Sequence, residues 1–287
     1  MIGLLDFSNK TVVITGAATG IGAETLRLLQ QHNAAVHTVD VAPLRFDRAD
    51  RQLTNQPAIR AHRCDVGSKA EIDTLTTELP DSIDVLMNCA GVPNGGRYSS
   101  EEVMAINWFG LRHLTETLLP RIPNGGSVVH IASTAGRDWH KRVEVHQQLM
   151  NATSFDDGLN WLRQHSDLCG DGYVLSKEAV QYYTHWRSVQ LLPTGVRMNS
   201  VCPGVTDTRL LSDFRAGMGD ETIDHARAVA GRAAAPEEVA PTMLFLACNR
   251  AASYINGVNL NVDRGTAAAR FSSQSDPELI WGSQAQT

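Results

Sequence analysis

The stretch that most constrains this chain is a strand that runs into a glycine loop. Thr11-Val12-Val13-Ile14-Thr15 is β-branched and apolar on both faces, so it reads as a strand buried in a parallel sheet. It passes directly into Gly16-Ala17-Ala18-Thr19-Gly20-Ile21-Gly22, after which Ile21, Leu26, Leu28 and Leu29 follow a helical period. Gly16 permits a tight turn, Gly20 lets backbone approach a pyrophosphate, and Gly22 allows the helix to pack closely. The helix N-terminus offers the positive end of its dipole. The spacing is G-x-x-x-G-x-G, not G-x-G-x-x-G. In this strand–loop–helix setting it predicts a dinucleotide site that includes Gly16, Thr19, Gly20, Ile21 and Gly22.

The alternation continues along the chain. Further strands are expected at 35–40, 59–64, 83–88, 127–132, 196–202 and 258–262, and helices at 20–32, 68–79, 99–119, 173–192 and 236–248. Ser68 with Glu71 three residues on predicts a capping box, while Pro120 and Pro193 end their helices. Residues 44–58 are polar and irregular, 208–234 read as a mobile helical loop, and 137–172 break the rhythm. The tail from Thr266 reads as loose, with Ile280 and Trp281 able to dock. Alternation of this kind predicts an α/β fold: a Rossmann-type doubly wound parallel sheet of about seven strands, helices on both faces, and a single domain over 1–287.

Charge and cysteine content narrow the function classes. The net charge is −6 with no long basic run, which argues against nucleic acid or an anionic membrane as partner. No apolar run reaches membrane-spanning length, and no signal peptide is read at the N-terminus. The five cysteines show no paired spacing and no CxxC, which fits free thiols in a reducing cytoplasm.

Asp40 closes the second strand, where an acid can hold the ribose hydroxyls of NAD and repel a 2′-phosphate. No Arg or Lys lies in the glycine loop or in Val41-Ala42-Pro43, and Arg45 is off the position that would welcome that phosphate. NAD is therefore the expected cofactor. Farther on, Tyr173 and Lys177 are four residues apart, one turn of a helix, so they share a face. A phenol titrates near 10 when free. A fixed ammonium one turn away favours the phenolate and suits the pair to proton exchange with an alcohol or carbonyl.

Together the glycine loop, Tyr173 and Lys177 resemble the short-chain dehydrogenases/reductases, over roughly residues 8–265. Cys64-Asp65-Val66 is similar to the family's adenine-contacting Asp-Val, which implies Asp65 and Val66. Asn88-Cys89-Ala90-Gly91 is similar to Asn-Asn-Ala-Gly, with Cys89 in place of the second Asn; it implies Asn88, Ala90 and Gly91 as cofactor contacts. Asn107 falls at the catalytic-helix asparagine, and Ser133, in Ser133-Thr134-Ala135-Gly136, at the catalytic serine. Pro203-Gly204-Val205-Thr206-Asp207-Thr208 resembles the loop that holds the nicotinamide amide, and Asn256-Gly257 also matches. The resemblance implies that Tyr173 takes the alcohol proton while Ser133 hydrogen-bonds the substrate oxygen. Lys177 holds the nicotinamide ribose, and Asn107 positions a relay water.

Two departures stand out. Ser133 and Tyr173 are forty residues apart instead of a dozen or so, an insertion similar to the branch of 3α-hydroxysteroid dehydrogenase/carbonyl reductase and coniferyl-alcohol dehydrogenase. Asp263-Arg264-Gly265 replaces Asp-Gly-Gly near an expected subunit contact. The insertion carries Trp139, Leu149, Met150, Phe155, Trp161 and Leu162 and is expected to wall the substrate site. His130 reads as sheet filler, and His140, His146 and His165 share no metal-ligand spacing, so no metal is inferred. The expected activity is NAD(H)-dependent interconversion of a bulky aromatic alcohol and its carbonyl. Steroids or ketones are the alternative substrates, and a dinucleotide-sensing regulator is the alternative class. A homodimer or homotetramer through 236–248 and 258–262 is expected.

Overall fold

The computed structural model describes residues 4–44, 58–95, 97–170 and 172–275. Its centre is one parallel sheet of seven strands in the order β3-β2-β1-β4-β5-β6-β7. These are β1 (Thr11–Thr15), β2 (Ala35–Asp40), β3 (Ile59–Arg63), β4 (Val85–Asn88), β5 (Ser127–Ile131), β6 (Arg197–Pro203) and β7 (Asn259–Val262). The order reverses between β1 and β4, where Thr15 lies beside Val39 on one side and Asn88 on the other. A cleft at the carboxyl ends of the strands follows from that reversal.

Helices cover both faces. Phe7, Ile14 and Leu29 are buried on one side, with Met243 of α11 (Pro236–Ala247); Trp108, Leu114 and Tyr183 are buried on the other. Helix α1 (Gly20–Gln31) follows the glycine loop. Helix α2 (Lys69–Glu78) begins with only half of the expected capping box. The Glu71 amide donates to Ser68 Oγ, but the Glu71 carboxylate accepts from the Asp65 amide at 2.9 Å instead of turning back to Ser68. The complete box is at Ser99 and Glu102, which start α3 (Ser100–Met104). The helix expected over 99–119 is broken in its middle by a π-helical turn at Ala105–Gly110 before α4 (Leu111–Leu118). Gly110 lies within that turn, where a side chain would strike the Val66 carbonyl.

The forty-residue insertion folds as α5 (Val143–Asn151), α6 (Phe155–Gln164) and α7 (Ser166–Cys169) before α8 (Tyr173–Gln190). Its apolar side chains face away from the cleft, against the expectation of a substrate wall. Phe155 packs on Phe109, Trp139 meets Tyr182 and His185, and Trp161 stacks on His165. The Arg112 guanidinium donates to the carbonyls of Leu149, Met150 and Ala152 and so closes the C-terminus of α5. The reason is geometric: α4 and α8 present an apolar outer face, and the insertion buries its own apolar stripe there.

Two segments are more ordered than expected. Residues 208–234 hold α9 (Leu211–Met218) and α10 (Asp220–Ala230), and the tail begins with α13 (Thr266–Ser275); α12 (Asn249–Ala252) follows α11. Asp263 caps α13, accepting from Gly265 N, Thr266 Oγ1 and Ala267 N. Arg264 takes the left-handed φ of +52°, where glycine is cheaper, and its guanidinium donates to Ala230 O at the end of α10. Most of 44–58, Arg45 and the expected docking residues Ile280 and Trp281 lie outside the described residues.

Candidate active site

One cavity of about 840 Å3 runs along the carboxyl ends of the strands. The glycine loop forms one end. Gly16 has φ +68° and sits so near Ala90 that a Cβ would meet the Ala90 nitrogen at 2.5 Å. Gly20 has φ +58°, and a side chain on Gly22 would strike the Gly16 carbonyl. Thr15 Oγ1 accepts from the amides of Cys89 and Ala90, both at 3.1 Å, and ties the two loops together. No side chain caps α1 and no acid lies in its first turn, so its leading amides are left for an anion. Asp40 has one oxygen on the Ala18 amide and the other on the Ala42 amide, both at 2.9 Å. This cradle fits a dinucleotide: backbone N–H groups and bare glycines at the phosphates, a carboxylate at the ribose.

The other end holds Ser133, Tyr173 and Lys177, all facing the same cavity. Lys177 is 4 % exposed, and its Nζ donates to the Ile131 carbonyl at 3.0 Å. Burial pushes its pKa down to about 8, with Cys202 and Cys89 pulling weakly the other way. Nζ lies 5.7 Å from the centroid of the Tyr173 ring. Ser133 follows β5; its Oγ accepts from the Ala135 amide at 3.1 Å. Gly136 has no room for a side chain because α8 passes at 2.5 Å from where a Cβ would be. The strand end and the helix are thereby pressed together, which brings a serine and a tyrosine forty residues apart into one cleft.

Asp65, Val66, Ala90, Gly91, Pro203, Gly204, Val205, Thr206 and Thr208 also line the cavity, as do Thr19 and Ile21. Asn88 and Asn107 stand behind its wall. Asn88 is 2 % exposed and donates through Nδ2 to Thr115 Oγ1, with His130 Nδ1 at 3.1 Å. The strand phase turns it from the cleft into the helix layer. His130 is fully buried there and pushed down to about 3, mainly by burial. Asn107 Oδ1 accepts from the Val92 amide at 2.8 Å, and Nδ2 donates to the Val92 carbonyl at 2.9 Å. Its Nδ2 also donates to Ser176 Oγ on α8 at 3.3 Å, so the side chain is occupied by the Val92 backbone and a serine hydroxyl. The Cys89 thiol faces the cavity but burial pushes it up to about 12.

The outer wall was not foreseen from the sequence. It comes from Phe214 and Met218 of α9, Ile223 of α10, and Ala267 and Arg270 of α13. The Phe214 ring stands edge-on to Tyr173 at 5.1 Å between centroids. The signal was present as Leu211, Phe214 and Met218 at helical spacing. Among the described residues of the insertion, only Arg137 and Asp138 reach the cavity. Among the described residues no group of three or more His, Cys, Asp or Glu is placed to hold a metal, and no helix is long and apolar enough to cross a membrane.

Residues 10–145 match the short chain dehydrogenase family, and 167–267 match the enoyl-(acyl carrier protein) reductase family. The coniferyl-alcohol dehydrogenase of Pseudomonas sp. (strain HR199 / DSM 7063) is 35% identical over 265 residues, covering 92% of this chain and 99% of that one. The chain belongs to the short-chain dehydrogenase/reductase family. This family member is an oxidoreductase. It is also 27% identical over 264 residues to the 3-alpha-hydroxysteroid dehydrogenase/carbonyl reductase of Comamonas testosteroni, with 90% and 96% of the two chains covered. Among solved structures, the 3-alpha-hydroxysteroid dehydrogenase of Pseudomonas sp. B-0831 complexed with NADH superimposes with a TM-score of 0.73 at 26% identity, over 94% of this chain and 99% of that one.

Proposed function

We propose that this oxidoreductase interconverts a bulky aromatic alcohol of the cinnamyl or coniferyl type with its carbonyl, using NAD(H), on a single domain. The observation that carries this reading is the continuous cavity from Asp40 and the glycine loop to Ser133 and Tyr173, ending against Phe214 and Met218. A flat ring suits that apolar end. The likeness to a coniferyl-alcohol dehydrogenase supports the same class.

In this reading Tyr173 Oη takes the proton from the substrate hydroxyl. The Lys177 ammonium one turn away favours the phenolate and would hold the nicotinamide ribose. Ser133 Oγ donates to the substrate oxygen and stabilises the charge it develops. Asn107 is a positioning residue whose side chain clamps the Val92 backbone beside Gly91, which is compatible with its helix placing a relay water for Lys177, as the resemblance implies. NAD+, when bound, supplies the hydride acceptor. Asp40 would offer its carboxylate to the adenosine ribose, and Arg63, its register partner on β3, leans toward Glu71 at 3.8 Å. That arrangement favours NAD over NADP. All five cysteines are free, consistent with a cytoplasmic enzyme.

A steroid or bulky ketone is the second reading, favoured by the likeness to the NADH-bound hydroxysteroid dehydrogenase. A panel of cinnamyl-type alcohols, 3-hydroxysteroids and short aliphatic alcohols, followed by NADH absorbance, separates them. The cinnamyl-type alcohol is expected to give the highest kcat/KM. A steroid in first place transfers the assignment to the second reading, and ethanol in first place contradicts both.

A further inference from the structure

We infer that Gln181 is a positioning residue for Ser133, completing a stripe on α8 that fixes the end of β5. The sheet holds β5 only as far as Ala132, whose amide donates to the Val201 carbonyl at 2.8 Å; the last paired residues are Ile131 and Val201. Ser133 lies just beyond that support. Its carbonyl accepts from Gln181 Nε2 at 2.6 Å and from the Gly136 amide at 3.1 Å. Its backbone amide faces the Cys202 thiol, one of the smaller influences that lower that thiol's pKa. Of these partners only Gln181 comes from the catalytic helix.

The spacing explains why the contact forms. Tyr173, Lys177 and Gln181 stand at successive four-residue steps on one face of α8. Four helical residues rise about 6 Å. Two strand residues rise about 6.6 Å and return to the same face. Lys177 therefore meets the Ile131 carbonyl while Gln181 meets the Ser133 carbonyl. Gln181 is 4 % exposed, and Asn259 Nδ2 of β7 donates to its backbone carbonyl at 3.2 Å, so its backbone is held from the next layer. One helix then sets both the base Tyr173 and, through Gln181, the hydroxyl that shares the substrate oxygen with it. An error of about 1 Å in that relation is enough to cost roughly a hundredfold in rate.

This inference rests on Ser133 contacting the substrate oxygen, and the test separates the two. Gln181→Met keeps the length and removes the donor; Gln181→Asn keeps the amide and falls one methylene short. Each is made alone and with Ser133→Ala, and kcat, KM and NADH affinity are measured. Either variant alone is expected to lower kcat roughly ten- to a hundredfold, with NADH affinity within about twofold of the parent. In the Ser133→Ala background the further loss shrinks to about twofold or less, because no hydroxyl remains to be placed. Equal losses in both backgrounds, or no loss in either, overturn the inference. So does failure of both variants to fold, which makes Gln181 a packing residue. If Ser133→Ala alone costs nothing, the assignment of Ser133 fails instead.

Discussion

Asp40 holds its two oxygens on the amides of Ala18 and Ala42, so its carboxylate is fixed beside the glycine loop, where the proposed reading puts the adenosine ribose. The expected preference for NAD+ over NADP+ is at least ~1.4 kcal/mol, about tenfold in kcat/KM. Asp40→Ala should narrow it; equal use of both cofactors by the wild type contradicts the assignment. Lys177 gives a pH prediction. Its folded pKa of about 8 lies below the ordinary 10.5, so burial of the cation costs stability at neutral pH. Between those values the unfolded chain binds the extra proton, and stability rises with pH. Cys89 and Cys202, pushed up to about 12 and about 11, act oppositely in the alkaline range. The lysine's share is therefore read as wild type minus Lys177→Met in urea melts from pH 7.5 to 10.5, where the difference should grow with pH. A flat difference contradicts the burial account. At this scale the gathering of the glycines, Asp40, Tyr173 and Lys177 on one cavity was legible from residue type and spacing, and that of Ser133 from the family resemblance; their chemical roles belong to the proposal. The orientations of Asn88 and Asn107 were not legible, since strand phase and a π-helical turn decide them.

The elements around the cavity divide the labour differently from the sequence expectation. The insertion stabilises α4 and α8, and α9, α10 and α13 shape the substrate end. Apolar residues at helical spacing say that a face is buried; they do not say against which neighbour. Truncating Phe214 to Ala removes a ring that stands against Tyr173, and burying a Phe side chain is worth roughly 1.5–3 kcal/mol. We expect Phe214→Ala to lower kcat/KM at least about tenfold for a ring-bearing alcohol and much less for a short aliphatic one. Trp161→Ala should lower Tm while affecting both substrates equally. The reverse pattern would restore the insertion as the specificity wall. Gly217 adds a second handle on α9: a Cβ there would strike the Asn94 carbonyl, so glycine lets the helix close onto the loop after β4. Gly217→Ala should raise KM for the substrate and leave NADH affinity nearly unchanged, as measured by steady-state kinetics and fluorescence titration. A fall in NADH affinity with KM constant contradicts this.

A doubly wound parallel sheet of about seven strands was legible from alternation, because parallel crossovers usually carry a helix; the strand order and the cleft at its reversal came from the structure. Helix ends were less legible: Asp263 caps α13 through groups two to four residues on, a local signal that was missed, while Arg264 closing α10 is a tertiary contact with no local signal. At this scale the outer sheet edge at β7 is a surface that proteins usually cover, while α4 and α8 are overlaid by the insertion. We expect a homodimer through β7 and α11, and light scattering at micromolar concentration checks it; a monomer contradicts the expectation. Tyr173 is the proton acceptor on which the proposed reaction depends. The decisive measurement is kcat of Tyr173→Phe on a cinnamyl-type alcohol, beside its NADH dissociation constant. Loss of the hydroxyl alone should reduce turnover by roughly a thousandfold or more, with NADH binding within about twofold of wild type. Retention of most of the wild-type turnover would contradict the proton-transfer site argued from this cavity.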